Sequence, residues 1–143
     1  MRYYLSLGSN LGEREQTLRE ALRQIEQQIG KVTRCSSFYY SEPWGFESEH
    51  GFCNLCCIVE TSLQPMEVLT ATQAIEHALG RTHKSENQHY ADRTIDIDLI
   101  QVFDEEEKEI VSCTEQLTIP HPLWKQRDFV KVPLREICTG ISS

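Results

Sequence analysis

Asp96-Ile97-Asp98-Leu99 alternates a carboxylate with an aliphatic side chain, and no other run constrains the chain as tightly. The alternation, with β-branched residues around it, predicts a strand. Successive strand side chains point to opposite faces. Asp96 and Asp98 therefore share one face, and Ile95, Ile97 and Leu99 take the other. Two strand residues span roughly 6.8 Å, which lets both carboxylates serve one cation between them or two neighbouring cations. Like charges side by side on one face repel unless something neutralises them. A D-x-D on a solvated strand face is the simpler alternative. Arg93 enters just before the pair from a polar loop, and carboxylates beside an arginine suit Mg²⁺-bound phosphates.

The remaining composition narrows the class. The 143 residues fit one domain, 1–143, with a real core. No apolar run approaches membrane-spanning length, and the N-terminus opens directly in a strand pattern. A cytoplasmic protein with no membrane partner is the expectation. A formal net charge of −8 disfavours a nucleic-acid partner. Six cysteines invite a disulfide framework, but without a signal peptide they read as free thiols. Cys53-Asn-Leu-Cys56-Cys57 holds a C-x-x-C with no second pair to complete a zinc site. On a strand, Cys53 and Cys57 face one way and Cys56 the other, as packing residues.

Along the chain, Tyr3 to Ser9 reads as a buried strand running into Gly8-Ser9-Asn10-Leu11-Gly12. That turn lacks the spacing and the lysine of a P-loop. It is a strand-to-helix turn in which Asn10 caps N–H groups, or a place where Gly8 admits another group against the backbone. A helix follows from Glu13 to Ile29 with Leu18, Leu22, Ile25 and Ile29 on one stripe, stopped by Gly30. Val32 to Tyr40 reads as a strand, broken by Glu42-Pro43-Trp44-Gly45-Phe46. That loop suits a ligand wall or a packed turn equally. Phe52 to Glu60 is a strand, and Pro65 opens a helix over Met66 to Leu79. Val68, Thr72, Ile75 and Leu79 give its core stripe.

Thr82 to Asp92 is almost devoid of apolar residues. A loop of that length in a small domain suits a flap, and it delivers Arg93 to the carboxylates. Asp104 to Glu109 is an acidic turn, and Ile110-Val111 pairs back as a small hairpin. The order strand, helix, strand, strand, helix, strand predicts an α+β ferredoxin-like βαββαβ sandwich: an antiparallel sheet with helices packed on one face.

Taken together, Leu7-Gly8-Ser9-Asn10-Leu11-Gly12, Ser36-Ser37-Phe38-Tyr39, Glu42-Pro43-Trp44-Gly45, Phe52-Cys53-Asn54, Asp92-Arg93-Thr94-Ile95-Asp96-Ile97-Asp98 and Ile119-Pro120-His121-Pro122 resemble the 6-hydroxymethyl-7,8-dihydropterin pyrophosphokinases of folate biosynthesis. The resemblance runs from Gly8 to about Leu134, and its specificity lies in the ordered set. It implies a Mg²⁺-dependent transfer of pyrophosphate from ATP to the pterin hydroxymethyl group, releasing AMP. Asp96 and Asp98 would hold two Mg²⁺ ions, with Arg93 and Arg127 as the catalytic cations. The pterin would meet Gly8, Ser41, Pro43, Trp44, Phe52, Asn54 and Phe129. Phe52 and Phe129 would sandwich the ring, and Asn54 would read its amide edge. ATP would meet Leu69, Gln73, Glu76, His83, Tyr90, Arg93, Leu99, Thr118, His121 and Arg127. The partners are these two small molecules, and the protein is expected to be a monomer.

This chain departs from the family pattern in places. His83 and Tyr90 stand near flap positions usually held by arginine and tryptophan. Asp92 precedes Arg93 where a small residue or proline is usual. Gln116 replaces an arginine, and Pro122 a tyrosine. Two other functions compete: a non-catalytic ferredoxin-like ligand-binding domain, and a metal-dependent phosphohydrolase built on the same D-x-D.

Overall fold

Tyr3, Leu5 and Leu7 alternate along the first strand and are fully buried in one core. In the computed structural model, which describes residues 1–9, 14–41, 52–79, 95–122 and 124–142, that strand is β1 (Arg2–Ser9). After it come α1 (Arg14–Gln28), β2 (Lys31–Cys35), β3 (Tyr39–Ser41), β4 (Phe52–Glu60), α2 (Pro65–Leu79), β5 (Asp96–Phe103), β6 (Ser112–Cys113), β7 (Thr118–Ile119) and α3 (Asp128–Ser142). The main sheet runs β2-β4-β1-β5, with β3 also on β4, and every pairing is antiparallel. This is the ferredoxin-like order. The expected residues Asn10, Pro43, Trp44, His83, Tyr90 and Arg93 lie outside the described residues.

Helices α1 and α2 cover one face, as their stripes require. Leu18, Ala21 and Ile25 of α1 and Val68, Thr72 and Ile75 of α2 are buried, against Leu5, Leu7, Leu55, Cys57 and Val59 of the central strands. The turn after α1 needs Gly30: a Cβ there would fall 2.3 Å from the Glu60 carbonyl oxygen.

The second face carries a helix that the periodicity did not predict. On α3, Val130, Leu134 and Ile137 recur at helical spacing and pack on Tyr4, Cys56, Ile58 and Ile100. Pro133 sits inside α3, and a proline reads as a helix breaker from sequence alone. The helices thus occupy both faces, with α3 covering the one opposite α1 and α2. Midway along it, Glu136 accepts hydrogen bonds from the Ser37 amide (3.2 Å) and hydroxyl (2.9 Å), which tie the helix to the segment between β2 and β3.

Two further differences have local causes. The expected strand from Val32 to Tyr40 is split in two. Ser36 leaves the ladder because its Oγ accepts a hydrogen bond from the Cys56 amide at 2.9 Å, while its own amide donates to the Cys56 carbonyl at 2.8 Å. In β5 the register against β1 shifts between Leu5↔Leu99 and Tyr4↔Gln101, so Ile100 and Gln101 together oppose Tyr4. This β-bulge returns Val102 to the helix-covered core. The cysteines are free. Cys53 and Cys57 lie on the α1/α2 side and Cys56 under α3, and burial pushes the Cys56 thiol up to about 12.

The α3 contact is a core contact, so Leu134→Ala should lower the unfolding free energy by about 2–5 kcal/mol in urea denaturation. A loss near zero would mean that α3 is not docked on the sheet.

Candidate active site

Cross-strand register assembles the site. β1 pairs β4 and β5 so that Asp96, Gly8 and Asn54 stand in one row across the sheet, and Asp98, Ser6 and Cys56 in the next. Tyr39 of β3 extends the first row beyond Asn54. Alternation puts both rows on the face away from α1 and α2. Because α3 begins only at Asp128, the rows stay open at that end. The result is a cleft of about 680 Å³. Its floor holds Ser6, Gly8, Asn54, Asp96 and Asp98. Tyr39, Phe52, Gln126, Arg127, Asp128 and Phe129 complete its lining.

The first row depends on Gly8. A Cβ there would sit 2.4 Å from Asn54 Nδ2, so glycine lets the Asn54 amide lie flat against β1. Asn54 is 4% exposed. Its Nδ2 donates to the Leu7 carbonyl at 3.4 Å, and its Oδ1 has no hydrogen-bond partner among the described residues. A buried amide oxygen left unsatisfied costs free energy until a donor arrives. Asn54 lines the same cleft as Phe52 and Phe129, a lining that suits a flat heterocycle with an N–H edge.

Asp96 and Asp98 share the cleft floor and are half-buried, while Ile97 and Leu99 between and beyond them are buried. The face assignment made from alternation therefore holds. Two carboxylates in an open cleft suit Mg²⁺, which takes one or two protein carboxylates and completes its shell with water and substrate phosphates. No gathering of three or more His, Cys, Asp or Glu side chains able to hold a metal occurs among the described residues. Arg127 supplies a cation on the facing wall, its guanidinium carbon 5.7 Å from the Phe129 ring centre. His121 is anchored beside β5 by its amide, which donates to the Ile100 carbonyl at 2.9 Å. Burial, with a smaller push from Arg127 and an opposing pull from Asp96, holds the imidazole below its usual pKa. His121 is thus a neutral donor near the carboxylates at physiological pH.

The expected site residues fall into two groups. Gly8, Phe52, Asn54, Asp96, Asp98, Arg127 and Phe129 line the one cleft. Leu69, Gln73 and Glu76 lie at i, i+4 and i+7 on α2, which packs beside β5. Glu76 Oε2 accepts a hydrogen bond from the Ile97 amide at 2.7 Å. Thr118 and His121 belong to the segment beyond the outer edge of β5, and Leu99 is buried in the α1/α2 core. Ser41 ends β3, opposite Phe52.

Sequence reasoning missed Ser6, Tyr39, Gln126 and Asp128. Ser6 was within reach, since it precedes Gly8 by two residues on the same strand face. Tyr39 required knowing where β2 ends, and Gln126 and Asp128 required α3.

Comparison with known proteins agrees with this geometry. The profile of the 7,8-dihydro-6-hydroxymethylpterin-pyrophosphokinase (HPPK) family matches residues 4–139. The chain is 44% identical over 136 residues to the 2-amino-4-hydroxy-6-hydroxymethyldihydropteridine pyrophosphokinase of Porphyromonas gingivalis, covering 94% of this chain and 88% of the relative. To the Bacillus subtilis protein of the same name it is 43% identical over 139 residues, covering 96% and 78%. A crystal structure of an HPPK-DHPS in complex with substrates superposes with a TM-score of 0.67 at 15% identity, covering 95% of this chain and 40% of that longer one. It attests the fold. This chain belongs to the 7,8-dihydro-6-hydroxymethylpterin-pyrophosphokinase family.

Gly8→Ala forces the Asn54 amide off Leu7 and should lower stability by about 1–3 kcal/mol in urea denaturation. A variant as stable as the parent would show that Asn54 yields without cost.

Proposed function

We propose that this protein transfers pyrophosphate from ATP to the hydroxymethyl group of 6-hydroxymethyl-7,8-dihydropterin, releasing AMP, as a step of folate biosynthesis. One observation carries the reading: Asp96 and Asp98 line one cleft with Asn54, Phe52 and Phe129, and the buried Asn54 amide oxygen has no hydrogen-bond partner among the described residues. Family membership supports the same assignment.

On this reading Phe52 and Phe129 hold the pterin ring between them, and Asn54 Oδ1 accepts from its amide edge. Ser41, Pro43 and Trp44 complete the wall. The hydroxymethyl oxygen then lies over the row that carries Asp96. It forms a bond to the β-phosphorus, the bond from that phosphorus to the α-phosphate oxygen breaks, and the alcohol proton passes to solvent. Two Mg²⁺ ions held by Asp96 and Asp98 would supply the positive charge that a triphosphate and an incoming alcohol require. Arg127 and Arg93 neutralise phosphate oxygens, and His121 donates a hydrogen bond to phosphate. Leu69, Gln73, Glu76 and Thr118 line the adenosine side along the outer edge of β5, with Leu99 beneath, and His83 and Tyr90 are the further nucleotide contacts that the family resemblance implies. The protein acts as a cytoplasmic monomer on these small molecules, without nucleic acid or membrane.

The test is AMP release from ATP and Mg²⁺, with and without the hydroxymethyl dihydropterin. AMP that appears only with pterin supports the transfer. Phosphate or ADP formed without pterin would replace it with a phosphohydrolase, and no turnover at all with a binding domain. Asp96→Asn and Asp98→Asn should each lower kcat by about 10²–10³ while the circular dichroism spectrum is retained. Near-parental rates would remove the carboxylates from the reaction. Phe129→Ala should weaken pterin binding about tenfold or more in a titration, and an unchanged affinity would take Phe129 out of the sandwich.

A further inference from the structure

β5 carries the catalytic carboxylates and is an edge strand, with β1 on one side only. Backbone groups of an antiparallel strand turn alternately to its two sides. Along the free side, the Ile100 carbonyl is met by the His121 amide at 2.9 Å and the Val102 carbonyl by the Ile110 amide at 2.8 Å. Both contacts lie beyond Leu99, in the second half of the strand. At the first half, the outward amide of Ile97 donates to Glu76 Oε2 at 2.7 Å. Ile97 stands between Asp96 and Asp98. A strand terminus held on one side only is where a sheet opens first, and here that terminus bears the whole metal-binding pair.

One oxygen of the Glu76 carboxylate is thus engaged by the backbone of the strand that carries both aspartates. The observed bond gives Glu76 another task. We infer that Glu76 is a positioning residue: its carboxylate pins the Ile97 amide at the free edge of β5 and thereby keeps Asp96 and Asp98 aimed into the cleft. This role stands beside the ATP contact that the family resemblance implies for Glu76. The catalytic consequence rests on the pyrophosphokinase reading, whereas the pinning of the strand does not.

The experiment compares the parent with E76Q and E76A. Glutamine keeps an acceptor oxygen at the same reach, and alanine removes it. Amide hydrogen exchange at Ile97, followed by NMR, reads the strand directly. It should be roughly tenfold faster or more in E76A, as for the loss of one charge-assisted bond, and close to parental in E76Q. In the activity assay, E76A should lower kcat and raise the Mg²⁺ concentration for half-maximal rate, by about 10–100-fold in all, as for loss of a group supporting metal ligands. E76Q should recover most of that loss. Unchanged Ile97 exchange in E76A would overturn the inference. So would an E76Q as impaired as E76A, which would mark the negative charge, and hence a ligand contact, as what matters. If the parent released no pterin-dependent AMP, the pyrophosphokinase reading would fail, and the exchange measurement would still decide the role of Glu76.

Discussion

The antiparallel pairing of β1 with both of its neighbours is the constraint on which the site depends. Gly8 and Ser6 are the middle members of two cross-strand rows, with Asn54 and Cys56 on one side and Asp96 and Asp98 on the other. Because side chains alternate with period two, a slip of one residue between β1 and β5 would carry both carboxylates into the α1/α2 core. The apolar residues prevent that slip. Leu7↔Leu55 and Leu7↔Ile97, like Leu5↔Cys57 and Leu5↔Leu99, are buried pairs that fix the register. Packing on one face of the sheet thereby sets the chemistry on the other.

α3 links stability to recognition in a second way. Its stripe of Val130, Leu134 and Ile137 closes a hydrophobic cluster on the cleft-bearing face. Its first turn and the residues just before it supply Arg127 and Phe129. The rows of the sheet are the floor, and the start of α3 is the wall. The two are complementary: the floor offers carboxylates and an amide but no enclosure, and the wall offers a ring and a cation but no pair of carboxylates.

Much of this was legible in the sequence because it depends on local period. The stripes of α1 and α2, the alternation at Asp96-Ile97-Asp98 and the strand-helix order all survive in the structure. What was not legible depends on a partner distant in the chain. Ser36 breaks a strand because the Cys56 backbone lies opposite it. Ile100 and Gln101 bulge because Tyr4 faces both. The α3 stripe of Val130, Leu134 and Ile137 runs past Pro133, a residue that argues against a helix interior until the packing around it is seen. The bond from the Ile97 amide to Glu76 joins residues 21 apart, and no local pattern marks it.

Pro133 has a mechanical consequence. Having no amide hydrogen, it cannot complete the rung that would start at the Phe129 carbonyl. The turn that bears the aromatic ring is thus joined to the rest of α3 by one link fewer than an uninterrupted helix would provide. Three residues beyond Pro133, Glu136 moors the helix to Ser37, so the missing rung falls between that mooring and the turn that lines the cleft: an anchored beam with its one open joint near the tip.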